Sequence, residues 1–141
     1  HLKDVVLNRG PWEANDIKVY DKVRRQIVAE LEKHQSKPSL LHGDLWGGNC
    51  MFLKDGRPAL FDPAPLYGDR EFDIGITTVF GDFTSEFYDA YNKHYPLAKG
   101  ASYRLEFYRL YLLMVHLLKF GEMYRDSVAH SMNKILQDTT S

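Results

Sequence analysis

The block His42-Gly43-Asp44-Leu45-Trp46-Gly47-Gly48-Asn49 sets a carboxylate and a carboxamide five residues apart on a glycine-rich stretch, and a second carboxylate, Asp62, follows eighteen residues after Asp44. Between Asn49 and Asp62 lie two short apolar runs, residues 50–53 and 59–61, separated by Lys54-Asp55-Gly56-Arg57. Asp-Gly between apolar runs supplies the positive φ angles of a tight hairpin turn, so the chain folds back and Asn49 and Asp62 meet at the mouth of the ribbon. Oxygen-bearing side chains converging there suit Mg²⁺, which takes one or two carboxylates and fills its octahedron with water and phosphate oxygens. Asp44, just ahead of the ribbon, is an acceptor able to take the proton of a substrate hydroxyl while charge on a transferring phosphoryl group is neutralised nearby.

Helices must position this loop. Apolar residues recur every three or four positions at Ile17, Tyr20, Val23, Ile27 and Leu31, which predicts an amphipathic helix that stops near residues 35–38 because Pro38 cannot continue it. Ser39-Leu40-Leu41 reads as a short apolar approach to an irregular loop over residues 42–49. Pro63 and Pro65 end the second strand. Asp69 stands as an N-cap before Phe72, Ile76 and Phe80, with Gly81 at that helix's end. A further helix is expected from Thr84 to just before Pro96, a nearly all-apolar one over residues 103–120 ending at Gly121, and a last one over residues 125–137. The fold class expected is α+β, mostly α, with helices around one small β-hairpin that carries the loop.

Composition narrows the partners. The chain has 141 residues, 44% hydrophobic and 26% charged, an ordinary balance for one packed domain. Eighteen Lys plus Arg against nineteen Asp plus Glu leave a net charge of -1, so there is no positive field to hold nucleic acid or an anionic membrane. Nine Tyr and eight Phe are spread along helical faces without an interleaved basic patch, which makes them core material rather than a base-stacking platform. The single cysteine, Cys50, has no partner for a disulfide or a metal and fits a reducing, cytoplasmic compartment. No apolar run approaches the roughly 20 residues needed to span a bilayer.

His-Gly-Asp-Leu-Trp-Gly-Gly-Asn at 42–49, Phe-Asp-Pro-Ala at 61–64 and Tyr-Gly-Asp-Arg-Glu-Phe-Asp-Ile-Gly at 67–75 together resemble the catalytic region of the fructosamine kinase (ketosamine-3-kinase) family. That family is grouped with aminoglycoside and choline phosphotransferases in the protein-kinase-like fold. The likeness runs from about residue 40 to the end of the chain and includes the apolar stretch 110–124. The resemblance implies that Asp44 is the catalytic base, that Asn49 and Asp62 hold Mg²⁺, and that Asp73 accepts hydrogen bonds from catalytic-loop amides. His42 reads as a hydrogen-bonding strut rather than a proton shuttle. Trp46 suits a sugar-stacking contact and plain packing equally well. Where protein kinases carry Asp-Phe-Gly, this chain has Asp62-Pro63-Ala64.

The implied reaction transfers the γ-phosphoryl group of ATP to a hydroxyl of a ketosamine. Other small hydroxylated acceptors, such as an aminoglycoside, choline or a sugar, are the alternative within the same class. The chain has no GxGxxG or GxxxxGK[ST] motif and no run of alternating strands before His42. The expectation is therefore that residues 1–141 form a C-terminal catalytic lobe, that a nucleotide-binding lobe of the same polypeptide lies upstream of His1, and that this part alone is inactive. A binding remnant without catalysis is the alternative from another class.

Overall fold

A computed structural model describes residues 2–9 and 12–138. The order of elements is α1 (Leu2–Arg9), α2 (Ala14–Lys33), β1 (Ser39–Leu41), β2 (Cys50–Phe52), β3 (Pro58–Leu60), β4 (Leu66–Gly68), α3 (Glu71–Thr77), α4 (Ser85–His94), α5 (Ala101–Phe120) and α6 (Arg125–Gln137). The described residues fall into two compact units, those up to Gln35 with those from Ser102 on, and residues 36–101. The chain is mostly helical with small antiparallel sheets.

The first unit is helical. α2 packs against α6, and Val23, Val128, Met132 and Ile135 are buried. From α5, Phe107, Leu110, Met114 and Leu117 are buried at three- and four-residue spacing. α5 is not covered all round: Tyr111 and Phe120 are exposed. Two of its charged side chains are buried instead, and each is paired. Arg104 meets Glu30 at 3.3 Å, and Glu106 accepts a 2.6 Å hydrogen bond from the Ser131 hydroxyl and meets Lys134 at 3.0 Å, which offsets the cost of taking a charge out of water. Ile135 has no exposed surface, so Ile135→Val should lower unfolding stability by about 0.5–1.5 kcal/mol through the lost methylene alone. A urea-unfolding midpoint indistinguishable from wild type would mean the α6 face is not packed as described. No helix among the described residues is long and apolar enough to cross a membrane.

The second unit holds the glycine-rich loop. It has two ribbons where the sequence suggests one: β2 pairs antiparallel with β3, in register Cys50 with Leu60 and Phe52 with Pro58, and β1 pairs antiparallel with β4, Ser39 with Gly68 and Leu41 with Leu66. The β2–β3 turn closes through Gly56, which donates to the Leu53 carbonyl at φ +85°. α3 stops at Thr77 rather than reaching Phe80. The hydroxyls of Thr77 and Thr78 take the carbonyls of Ile74 and Gly75, both at 2.6 Å, and the Thr78 amide also turns back to Gly75. The last turn tightens and ends there.

Candidate active site

With two ribbons in place, the chemistry-bearing segments are the two crossings between them. Residues 42–49 run from β1 to β2, and residues 61–65 return from β3 to β4. The crossings are stitched side by side. The Phe61 amide donates to the Asn49 carbonyl at 3.1 Å, and the Ala64 amide donates to the His42 carbonyl at 2.8 Å. Asp62 is therefore pinned on both flanks, and its backbone takes φ +49°, a left-handed conformation uncommon for any residue but glycine.

His42 ties the same two strands of chain with its ring. Its Nδ1 accepts the Asp44 amide at 3.2 Å, so the proton of a neutral ring sits on Nε2, which donates to the Phe61 carbonyl at 2.8 Å. Both nitrogens are occupied by backbone, and the ring is half-buried rather than fully buried. Asp73, in the first turn of α3, accepts the His42 amide at 2.8 Å with Oδ2 and the Gly43 amide at 2.9 Å with Oδ1. α3 is in turn started by Asp69, whose side chain accepts the Glu71 amide at 3.0 Å. Just ahead of it, the Arg70 guanidinium donates to the Tyr95 and Pro96 carbonyls and lies 3.6 Å from the centre of the Tyr95 ring, holding the end of α4.

Asn49 is buried at the end of a 3-10 turn, Gly47–Asn49. Its side-chain nitrogen donates to the Asp44 backbone carbonyl at 2.9 Å and to Asp44 Oδ2 at 3.0 Å. Two acceptors on that side fix which end of the carboxamide is nitrogen, and the oxygen is left directed elsewhere. Asp44 keeps Oδ1 without a hydrogen bond among the described residues, and Asp62 is exposed.

Sequence reasoning missed the residues that cover the loop from the far side. Asp82, thirty-five positions from Gly47, accepts the Gly47 amide at 3.1 Å. Phe80 meets the Trp46 indole edge-on with ring centroids 6.1 Å apart. Both come from the connection between α3 and α4, and no motif marks it. Burial first, and then the negative charge of Asp82, push the Cys50 thiol above its ordinary value. A raised thiol holds less thiolate at pH 8 than a free cysteine. Cys50 should therefore alkylate more slowly than a free thiol at that pH, and Asp82→Asn should speed it. An alkylation rate equal to that of free cysteine, measured with iodoacetamide across pH 7–10, contradicts this.

The arrangement is a mostly helical frame with small antiparallel sheets, in which two connections bonded side by side carry an acid, a carboxamide and a second acid. The chain belongs to the fructosamine kinase family, whose sequence profile matches residues 5–138. It is 94% identical over 141 residues to a Staphylococcus aureus protein named "Probable ketoamine kinase", covering 100% of this chain and 49% of that protein. It is 38% identical over 124 residues to the Mus musculus ketosamine-3-kinase, covering 88% of this chain and 37% of that one. A crystal structure assigned as a fructosamine-3-kinase of Thermobifida fusca superposes with a TM-score of 0.80 at 28% identity, over 96% of this chain and 47% of that chain. The chain thus spans about half the length of the curated relatives it matches.

Proposed function

We propose that this chain is the C-terminal catalytic lobe of an ATP-dependent kinase with a protein-kinase-like fold, which phosphorylates a hydroxyl of a ketosamine and has its nucleotide-binding lobe upstream in the same polypeptide. The observation that carries the reading is the stitched pair of crossings. It sets Asp44, Asn49 and Asp62 on adjoining backbone, with Asn49 bonded to Asp44 and Phe61 bonded to Asn49.

In this reading Asp44 Oδ1 accepts the proton of the acceptor hydroxyl as its oxygen attacks the γ-phosphorus of ATP, and the bond from that phosphorus to the β,γ-bridging oxygen breaks to release ADP. Asn49 holds the other carboxylate oxygen and so aims Asp44. His42 and Asp73 act through the backbone, fixing residues 42–44 against residues 61–64. The donor set fits a hard cation such as Mg²⁺: the Asn49 carboxamide oxygen, on the side away from the Nδ2 hydrogen bonds, and the exposed carboxylate of Asp62 are both oxygen ligands, and Cys50 donates to the Trp46 carbonyl instead. When bound, the cation neutralises phosphate charge. Trp46 lies beside the acceptor. The kinase names of the relatives favour this over a binding remnant.

The test uses a full-length host in which this chain replaces the matching part of the Staphylococcus aureus relative. With Mg-ATP, a fructosamine should be phosphorylated with kcat/KM at least about tenfold above choline, an aminoglycoside or free fructose, a margin of the size that a few polar contacts supply. A better turnover with any of those three would move the assignment to that acceptor.

A further inference from the structure

Trp46 and Phe80 are each 40% exposed, although they touch each other beside the loop that carries Asp44. Asp82 is exposed as well. One of its oxygens is held by the Gly47 amide, and the other has no hydrogen bond among the described residues. The two glycines of the loop make this closeness possible. A Cβ on Gly48 would stand 2.2 Å from the Trp46 ring, and one on Gly47 would stand 2.4 Å from Asp82 Cβ. Any side chain at either position would push the ring or the carboxylate off the loop. An aromatic pair and a fixed carboxylate, open to solvent and starting two residues from the candidate base, form a corner suited to a cation attached to a polyol. The rings offer π-faces to the cation and to sugar C–H groups, and the carboxylate offers a charged acceptor.

We propose that Asp82, with Trp46 and Phe80, is the acceptor-specificity corner of this site and binds the protonated amine that distinguishes a ketosamine from a plain ketose. This rests on the kinase reading above. The amine and the reacting hydroxyl of a ketosamine are only a few bonds apart, and Trp46 and Gly47, on which the corner is built, stand two and three residues after Asp44 on the same loop. The corner contributes by holding the acceptor, not by moving the proton. Its loss therefore falls on KM.

Two acceptors separate the possibilities in the full-length host: a fructosamine, and the same compound with its amine acetylated and hence uncharged. The wild type should prefer the charged acceptor in kcat/KM. Asp82→Asn keeps an oxygen for the Gly47 amide and removes only the charge; it should lower that preference about tenfold through the KM of the charged acceptor, the size expected for one charge-assisted hydrogen bond. Asp82→Glu restores the charge and should recover part of the preference. A preference unchanged in Asp82→Asn, or a loss equal for both acceptors, overturns the proposal while leaving the kinase reading standing. Phosphorylation of neither acceptor by the wild type overturns both.

Discussion

Asp44→Asn in the full-length host should lower kcat for ketosamine phosphorylation by about 10²–10⁴-fold, the usual worth of a positioned general base. The substitution spares the loop. The contacts that shape residues 42–49 use the Asp44 backbone: its amide donates to His42 Nδ1, and its carbonyl accepts the Trp46 amide and the Asn49 side chain. An asparagine oxygen can still accept from Asn49 Nδ2, which leaves an NH₂ donor facing the acceptor hydroxyl where a proton acceptor is needed. Nucleotide affinity should move little, because Asn49 and Asp62 are untouched. Steady-state kinetics with varied ATP and acceptor separates these effects. A kcat within a few-fold of wild type would show that another group takes the proton.

Gly43→Ala should be as damaging, for a different reason. Gly43 has φ +85°, which costs an L-residue roughly 1–2 kcal/mol. Its Cβ would also stand 1.9 Å from the Ala64 carbonyl oxygen. That oxygen cannot retreat freely, since the Ala64 amide is bonded to the His42 carbonyl next door. The crossings must separate, and Asp44 and Asp62 separate with them. We expect a stability loss of about 2–4 kcal/mol and a fall in kcat/KM of about 10²-fold or more from misplaced groups. Gly56→Ala is the control: Gly56 has the same φ of +85°, but nothing lies within 4 Å of its Cβ. It should cost only the roughly 1–2 kcal/mol of that backbone conformation and leave kinetics alone. Equal losses from the two substitutions in urea unfolding and in turnover would show that the Ala64 contact does not constrain the crossings.

The legible parts of this fold were those written in local chemistry. The β2–β3 hairpin announces itself through Asp55-Gly56, α2 and α4 through apolar spacing stopped by Pro38 and Pro96, α5 through its apolar run ended by Gly121, and α6 through apolar spacing, all close to where they form. The β1–β4 ribbon was not legible. Its strands are three residues each, too short to carry a period, and they pair across twenty-four intervening residues. Yet that ribbon is what lays residues 42–49 and 61–65 side by side in opposite directions. The left-handed backbone of Asp62 was hidden for a similar reason, because neighbours on both segments impose it. α1 lacks an amphipathic stripe strong enough to mark it. The motif residues could be named from type and spacing. Asp82 and Phe80 could not, because they reach the loop through packing from a connection with no signature of its own.

In the proposed function, this loop moves a phosphoryl group onto an alcohol. The most direct measurement follows the γ-phosphate of labelled ATP in the full-length host with a fructosamine and locates it in the product by phosphorus–proton correlation NMR. A phosphate ester should form on a hydroxyl oxygen of the sugar, in step with ADP, and at least about 10²-fold more slowly with Asp44→Asn. Label recovered only as inorganic phosphate, on the amine nitrogen or on the protein, or the same ester formed at an undiminished rate by Asp44→Asn, would contradict it.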